Sequence, residues 1–374
     1  MNPNHAFCTI IATNYLASAR TLCSSLRRFH PDVPRYVLFT DDYRSAFVAS
    51  DESFRAISLE EIGLNGLDLL RFSYDVVELA TVVKPHFLKY LFQNFDLSKL
   101  IYLDPDILVL NPLDRVFEKL NNCNLILTPH LDSGFPDDGY QPDIMVILAC
   151  GLYNLGFVAC RNSAEALRFL DWWEQEIRRR CTRDGSTAHF VDQKVVDVAP
   201  LLFEGVYLER EPGYNVAYWN IHSRTISFAN GEWFSNNQPL YFFHFSAFNP
   251  ENAEVLSRDC TRPLSAKNRP LLGLLREYRD RLLENDHLTM RRLSYGHSRF
   301  VNGEEILYAT RQRFRMSEQL QREEPMPFRS ARMIRWNRIT VFKYDHPTTF
   351  RIIRKIWTLI LRVVPSSLRR EQYP

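Results

Sequence analysis

Short apolar runs alternate with stretches of helical spacing along the first 250 residues of the chain. The stretch 15–29 repeats Leu16, Ala19 and Leu22 on one face, which predicts a helix. Apolar runs rich in β-branched and aromatic residues predict buried strands. The predicted strands are residues 6–12, 35–40, 54–59, 100–103, 107–110, 125–128, 152–160, 206–208, 225–228 and 240–245. Strands and helices that alternate in this way indicate an α/β fold with a parallel sheet.

The run 100–103 leads directly into Asp104-Pro105-Asp106, and a second apolar run follows. Because Pro105 cannot donate to a sheet, the strand must stop or bend there. We therefore expect the two carboxylates at the carboxyl end of an interior strand, where open α/β sheets bind ligands. Paired carboxylates suit Mg²⁺ or Mn²⁺ that carries a substrate diphosphate. The alternative is a polar turn that happens to hold two Asp residues.

Thr13 and Asn14 lie between the first predicted strand and the first predicted helix. Either side chain can cap that helix. Free backbone N–H groups collect at the start of a helix, which makes this a common place for a nucleotide. An ordinary strand-to-helix turn explains the same two residues equally well.

Lys84 and Pro85 interrupt a long predicted helix over residues 75–95. Pro85 is expected to kink the helix or to divide it into two. Lys84 then lies at an irregularity, where a side chain is often aimed at a ligand. A solvated lysine fits the position as well.

Further polar residues lie in or beside the later strands. Asn154 and Gly156 interrupt one strand, and a glycine inside a strand suggests a bulge or the close approach of a ligand. Asp192 and Gln193 open a segment that follows a strong predicted helix. His244 lies in an aromatic strand, where a single histidine is more often a core residue than a ligand.

The strand pattern ends near residue 260. Residues 261–270 read as a linker, and a helix follows over 270–286. We therefore expect a first domain of residues 1–260 and a mostly helical extension of residues 261–374. A helix over 350–364 would gather its basic residues on one narrow stripe and leave the rest of its surface apolar.

Composition places the chain among ordinary globular proteins, with 45% apolar and 24% charged residues. The net charge of +2 hides an uneven distribution, because residues 311–374 hold 15 Lys and Arg against 5 Asp and Glu. Residues 1–310 therefore hold more Asp and Glu than Lys and Arg, and such an acidic region does not favour nucleic-acid binding. The seven Cys show no metal-type spacing, which fits a reducing compartment. No signal peptide or membrane span is recognisable, so we expect a cytoplasmic protein.

The candidate motifs follow one another in a fixed order. They are Thr13-Asn14, Asp104-Pro105-Asp106, Tyr153-Asn154-Leu155-Gly156, Asp192-Gln193 and His244-Phe245-Ser246. The ordered set resembles the GT-A glycosyltransferases, most closely glycosyltransferase family eight and its bacterial relatives, over about residues 6–255. The resemblance implies a GT-A (Rossmann-like) nucleotide-diphospho-sugar transferase domain. It also implies a metal-dependent hexosyltransferase that uses a nucleotide sugar, by default a UDP-sugar, and retains the anomeric configuration.

The resemblance further implies a metal and nucleotide site. Asp104 and Asp106 would be ligands of Mn²⁺ or Mg²⁺, and His244 would be the third protein ligand. An imidazole ligand favours Mn²⁺ somewhat. Thr13 and Asn14 would lie against the base and ribose of the nucleotide.

A second group of residues would face the donor sugar. Lys84 stands where the family has a basic residue facing the diphosphate and the sugar. Asn154 would face the sugar hydroxyls, and Asp192 and Gln193 would lie beside the anomeric carbon, where they would support a sugar cation rather than necessarily form a covalent link.

The last motif departs from the family pattern. The family has a glycine at the fourth position of this motif, where this chain has Ala247. The lysine that usually follows, and that binds phosphate, is missing, because the chain continues with Asn249-Pro250-Glu251. The resemblance therefore leaves the diphosphate contacts open.

Two other functions fit part of the pattern. A nucleotidyltransferase acting on sugar phosphates shares the sheet and the metal, but it usually has a Gly-rich N-terminal loop that residues 12–15 lack. An inactive carbohydrate-binding protein with the same fold is the other alternative. The intact Asp104, Asp106, Asp192, Gln193 and His244 argue against it.

The basic tail predicts attachment to a membrane surface. A helix of 350–364 would be about 22 Å long, too short to cross a bilayer. A wide apolar face beside a basic stripe fits a helix that lies in an anionic membrane interface. This hypothesis favours a peripheral protein on the cytoplasmic face with a glycan or lipid-linked acceptor, such as a polysaccharide precursor. The alternative is that the apolar face packs on the protein body.

Overall fold

The computed structural model describes residues 4–44, 46–47, 52–182, 191–345 and 347. Its strands are β1 (His5–Ile11), β2 (Arg35–Phe39), β3 (Arg55–Ser58), β4 (Lys99–Leu103), β5 (Ile107–Val109), β6 (Leu125–Pro129), β7 (Tyr153–Arg161), β8 (Val206–Leu208), β9 (Ile226–Ala229), β10 (Glu232–Ser235), β11 (Gln238–Pro239) and β12 (Phe242–His244). Its helices are α1 (Leu16–Phe29), α2 (Leu67–Ser73), α3 (Val76–Val82), α4 (Lys84–Asn94), α5 (Asp114–Lys119), α6 (Ile144–Cys150), α7 (Ala164–Arg180), α8 (Gln193–Val196), α9 (Ala199–Leu202), α10 (Leu271–Glu284), α11 (His287–Met290), α12 (Tyr308–Arg315), α13 (Glu318–Glu323) and α14 (Ala331–Asp345).

The described residues form two compact units, one within residues 1–63 and 80–295 and the other within residues 64–79 and 296–347. The boundary that the sequence suggests at residue 260 falls within the first unit. The division of the chain into a transferase domain and an extension stays a prediction.

A mixed sheet forms the centre of the first unit, and its strands, among the described residues, run in the order β3-β2-β1-β4-β7-β6-β8. β1 pairs in parallel with β2 and β4, and β2 pairs in parallel with β3. This 3-2-1-4 order is that of doubly wound folds, which bind ligands where the order reverses, at the carboxyl ends of the strands. Thr13 and Asp104 closely follow β1 and β4, so both lie at this reversal.

The α/β prediction is confirmed, but the prediction of a parallel sheet is wrong for β7. This strand runs antiparallel to both β4 and β6. An apolar run shows that a strand is buried without showing its direction, since a strand buried on both faces has the same composition either way. The antiparallel pairing with β4 places Gly156 beside Asp104, whose N–H donates to the Gly156 carbonyl at 2.7 Å.

β5 leaves the main sheet after Pro105 and pairs antiparallel with β12. The register of this ribbon sets His244 opposite Ile107. The chain therefore bends at the proline, as predicted, and the bend brings His244 to the Asp104–Asp106 turn across about 140 residues of sequence.

Several hydrophobic clusters lie in the first unit, and two of them position the site. One packs the main sheet against α1 and α5, with Phe7, Ile101 and Phe157 fully buried among others. The second packs α10 against the β5–β12 ribbon, and the rings of Phe245 and Tyr278 stack with their centroids 3.7 Å apart. Because α10 covers the outer side of the ribbon, it supports the strand that carries His244.

The second unit has a small core of its own, built by α2, α12 and α14. Its buried members include Phe72, Phe314 and Met333. Arg311 is buried within this unit and donates from Nη1 to the carbonyls of Phe72 and Tyr74, each at 3.0 Å. A buried guanidinium needs such acceptors, because an unpaired one would be costly.

The helix predicted over 75–95 is divided into α3 and α4, which is one of the two outcomes expected from Pro85. Pro85 lies in the first turn of α4, where its missing N–H costs no helical hydrogen bond.

The predicted tail helix over 350–364 lies outside the described residues. No helix in the described part of the chain combines the length and apolar composition needed to cross a bilayer.

Candidate active site

The turn 104–106 is fixed from two sides. Asp104 is tied to β7 through Gly156, and the Phe245 N–H donates to the Asp106 carbonyl at 2.8 Å. The sheet and the ribbon therefore hold the backbone of the turn at the carboxyl end of β4. As a result the side chains of Asp104, Asp106 and His244 come together.

These three side chains each place one possible ligand atom within 4.8 Å of the others. His244 Nε2 lies 3.1 Å from Asp106 Oδ1 and 4.0 Å from Asp104 Oδ2. The Asp104 and Asp106 side chains are 31% and 29% exposed, whereas that of His244 is 4% exposed. The cluster is therefore open on its carboxylate side and closed behind the imidazole.

The charges of the cluster support one another. Burial disfavours the charged form of His244, yet the Asp106 carboxylate holds the pKa of His244 above its usual value. Burial also disfavours the charged Asp106, and His244 holds the pKa of that carboxyl below its usual value. Two carboxylate oxygens and an imidazole nitrogen that converge in this way fit a divalent cation such as Mn²⁺ or Mg²⁺.

Gly156 leaves the space that the cluster occupies. A Cβ at this position would overlap the His244 ring and would lie 2.8 Å from both Asp104 Oδ2 and Asn154 Oδ1. The close approach that the sequence suggested at this glycine is thus made by protein side chains of the cluster. No side chain larger than hydrogen fits at residue 156 unless these groups move.

Lys84 lies beneath the cluster at the start of α4 and is buried. Its Nζ donates to Asp192 Oδ2 and to the Leu155 carbonyl, each at 2.9 Å, and lies 3.9 Å from Asp104 Oδ1. Burial opposes the charge, but Asp192 and Asp104 outweigh it and raise the pKa of Lys84. Burial raises the pKa of Asp192 in spite of the attraction by Lys84. The solvated-lysine interpretation is therefore wrong, and Lys84 links the Asp192 segment to the cluster.

Asn154 and Gln193 belong to one hydrogen-bond network. Gln193 Oε1 accepts from Asn154 Nδ2 at 3.1 Å and from the Leu155 N–H at 3.2 Å. Asn154 Oδ1 accepts from the Gly156 N–H at 3.2 Å. Because a backbone N–H can only donate, these contacts fix which end of each amide is the oxygen. The start of α8 is thereby held against β7, beside the cluster.

Thr13 and Asn14 occupy a 3-10 turn, Thr13–Tyr15, that precedes α1. The predicted cap is wrong, because no side-chain hydrogen bond caps this described turn or α1. Instead the Thr13 N–H and hydroxyl donate to Asp41 Oδ1 at 2.8 and 2.7 Å. Asp41 follows β2, and Tyr15 rather than Thr13 or Asn14 is the N-cap residue of α1. Asn14 Oδ1 is buried and has no hydrogen-bond partner among the described residues.

Sequence reasoning did not assign Tyr102, Asn215 or Asp41 to the site. The Tyr102 hydroxyl donates to Asp104 Oδ1 at 2.7 Å. Residues two apart on a strand share a face, so the spacing of Tyr102 and Asp104 was a usable signal. Asn215 lies 3.3 Å from His244, with its Oδ1 facing the ring Nδ1, but nothing in its local sequence points there.

The two places where the last motif departs from the family pattern both lie in described backbone. Ala247 has a φ of 56°, a conformation that glycine adopts without strain, and this is the position where the family has its glycine. Asn249 accepts from the Glu251 N–H at 3.1 Å and caps the 3-10 turn Pro250–Asn252. The segment 249–252 is therefore ordered by its own contacts.

No family model matches the chain. The uncharacterized protein YfnF of Bacillus subtilis (strain 168) is 26% identical over 247 residues, which cover 65% of this chain and 81% of that protein. The uncharacterized protein YfnD of the same strain is 27% identical over 247 residues, which cover 65% of this chain and 77% of that protein.

Similar solved structures include the galactosyltransferase LgtC in complex with donor and acceptor sugar analogs. It is 19% identical, with a TM-score of 0.43, and the match covers 74% of this chain and 99% of that chain. The glycosyltransferase GlyE of Streptococcus pneumoniae TIGR4 is 15% identical, with a TM-score of 0.45 and coverage of 80% and 67%.

Proposed function

We propose that this protein is a metal-dependent glycosyltransferase that moves a hexose from a UDP-sugar to a glycan or lipid-linked acceptor, with retention of the anomeric configuration. The observation that carries the proposal is the convergence of Asp104, Asp106 and His244 at the reversal of strand order. We assign the transferase domain to residues 1–260 and regard residues 261–374 as its helical extension.

Asp104, Asp106 and His244 would hold Mn²⁺ or Mg²⁺. Bound there, the metal would supply Lewis-acid neutralisation of the departing nucleoside diphosphate. The exposed carboxylate side would face the diphosphate, and the buried imidazole would close the site from below. Tyr102 and Lys84 both engage Oδ1 of Asp104, which leaves its Oδ2 directed toward His244 and the cation site.

Lys84, Asp192 and Gln193 would act on the sugar. The ion pair with Lys84 stabilises the carboxylate of Asp192, which makes it a stabiliser of positive charge on the sugar rather than a strong nucleophile. Gln193 Oε1 is held by Asn154 and the Leu155 N–H, so its position is fixed before the donor arrives. This preorganisation favours support of an oxocarbenium-like transition state, with Asn154 facing the sugar hydroxyls.

Thr13 and Asn14 would lie against the base and ribose. The side chain of Thr13 is engaged by Asp41, so its role would be to fix the turn. Asn14 Oδ1 is a buried acceptor that lacks a partner among the described residues, and such atoms call for an explanation. A ribose hydroxyl or a base N–H would satisfy it.

We propose that the tail, residues 350–364, is a peripheral membrane anchor, and we infer the acceptor and the location of the enzyme from it. The support is the sequence alone, namely the basic stripe and apolar face of residues 350–364. An enzyme held at an anionic surface would act on a lipid-linked or polysaccharide precursor. Vesicle co-sedimentation of the whole chain and of a chain ending at Pro347 tests this, and equal amounts of both in the supernatant at low salt would refute the anchor.

Product analysis tests the reaction class. With UDP-sugars and Mn²⁺ we expect release of UDP, either by transfer to an acceptor or by slow hydrolysis of the donor. Release of pyrophosphate from a nucleoside triphosphate and a sugar phosphate would instead establish nucleotidyl transfer. Absence of turnover, together with sugar binding that is independent of metal, would support an inactive carbohydrate-binding protein.

A further inference from the structure

Asn215 lies behind the cluster of Asp104, Asp106 and His244 and is completely buried. Its φ is 48°, a left-handed conformation that asparagine adopts more readily than most residues. Its carbonyl accepts from Asn220 Nδ2 at 3.0 Å, so the backbone that carries Asn215 is tied down.

Both hydrogens of the Asn215 amide are committed. Nδ2 donates to Thr128 Oγ1 at 2.7 Å and to Asn154 Oδ1 at 3.0 Å. The atom on Asn154 must be oxygen, because the Gly156 N–H also donates to it. The Gly156 N–H therefore fixes the Asn154 oxygen, and that oxygen in turn fixes the orientation of the Asn215 amide. Asn215 Oδ1 is the atom left to face His244.

His244 Nδ1 lies 3.3 Å from Asn215 Oδ1. An acceptor at this place keeps a hydrogen on Nδ1, so Nε2 is the ring atom that offers a lone pair once it gives up its own hydrogen to a bound cation. Nε2 is the atom that lies 3.1 Å from Asp106 Oδ1, on the side of the cluster. Trp219 packs edge-on against the same ring, with centroids 5.1 Å apart at 86°, and restricts its rotation.

We propose that Asn215 is a positioning residue that holds His244 for the metal and Asn154 for the donor sugar with a single side chain. This inference rests on the proposed function. Partners of a ligating histidine typically account for 10- to 100-fold in metal affinity. Loss of Asn215 should therefore weaken both binding events.

Two substitutions separate the two contacts. Asn215→Ala removes both, whereas Asn215→Asp keeps an oxygen facing His244 and tolerates the left-handed backbone, but it cannot donate to Asn154. The control is Asn268→Ala, because Asn268 is also buried and forms hydrogen bonds with the backbone of Ile226, Ile221 and Arg224, away from the cluster. All variants are made in the full chain, and their folding is checked by circular dichroism.

Mn²⁺ is titrated into each protein by calorimetry, the His244 tautomer is read from ¹⁵N NMR, and KM is measured for the UDP-sugar. We expect about 10- to 100-fold weaker Mn²⁺ binding in Asn215→Ala. We expect Mn²⁺ binding close to wild type but a raised KM in Asn215→Asp. Asn268→Ala should lower thermal stability and leave Mn²⁺ affinity and KM unchanged.

The failures of the two claims are distinguishable. A wild-type protein that does not bind Mn²⁺ or Mg²⁺ would refute the proposed function. A wild-type protein that binds Mn²⁺, with an Asn215→Ala variant that binds it equally well, would refute the role of Asn215 alone. A wild-type His244 with its hydrogen on Nε2 and none on Nδ1 would refute that role whatever the metal result.

Discussion

Replacing Gly156 by alanine perturbs the cluster with a single methyl group. The added Cβ would lie 2.8 Å from Asp104 Oδ2 and from Asn154 Oδ1, where ordinary contact begins at 3.4 Å, so each atom must move by about 0.6 Å. The His244 ring must move further, because the Cβ would overlap it. Overpacking of a buried site costs about 1–3 kcal/mol. Ligand distances in a metal site tolerate only about 0.2 Å, so metal affinity should fall more than tenfold.

The assay combines calorimetric Mn²⁺ titration with urea unfolding of the metal-free protein. The matched control is Gly273→Ala, since Gly273 lies inside α10 and its Cβ would meet Trp233 at an ordinary 3.6 Å. That change should stabilise the helix by about 0.5–1 kcal/mol and leave Mn²⁺ binding intact. Wild-type Mn²⁺ affinity in Gly156→Ala would refute the reasoning, because the ligands would then have room that the described geometry does not give them.

Three further predictions concern the surroundings of the site. Lys84→Met should destabilise the protein by about 3–5 kcal/mol in urea unfolding, because it leaves Asp192 buried and unpaired. Adding Asp192→Asn to this variant should restore stability but not activity. A Lys84→Met protein as stable as the wild type would contradict this prediction. Burial opposes the charge of Glu174, but contacts with His86, Lys89 and Arg178 outweigh it and lower the pKa of Glu174 to about 2. Glu174→Gln should therefore lower the free energy of unfolding at pH 7 by about 3 kcal/mol. That difference should shrink as the pH falls from about 4.5 to 2, where the wild-type carboxylate takes up its proton, and a pH-independent difference would refute it. Ala247→Gly should raise thermal stability by up to about 1 kcal/mol, because the φ of 56° strains alanine, whereas Ala253→Gly, with a φ of −72°, should lower it.

The place of two motifs in the fold could be predicted from the sequence, because Thr13-Asn14 and Asp104-Asp106 closely follow strands that are visible as apolar runs. Asp104 and Asp106 follow β4 for this reason, and the bend at Pro105 follows from its missing N–H. His244 was ambiguous from the sequence, since a buried histidine and a ligating histidine look alike in an aromatic strand. Only the antiparallel register of β5 with β12 brings it to the cluster.

The remaining differences arise from contacts between distant residues. Thr13 was expected to cap α1, but a 3-10 turn makes Tyr15 the N-cap residue, and Thr13 donates to a carboxylate 28 residues away. Asn215 makes hydrogen bonds across 61 and 87 residues of sequence, to Asn154 and Thr128, which no local spacing encodes. The direction of β7 also depends on how the chain crosses the sheet, and its composition carries no trace of that path.

The most direct test of the proposed function is UDP release from UDP-sugars, measured with and without Mn²⁺ in the wild type and in Asp106→Ala. We expect release by the wild type that depends on added Mn²⁺ and stops with excess chelator. Asp106→Ala should keep its circular dichroism spectrum and lose release, since it removes one carboxylate of the cluster. UDP release that persists in excess chelator, or that Asp106→Ala supports at the wild-type rate, would contradict a metal-dependent transferase centred on Asp104, Asp106 and His244.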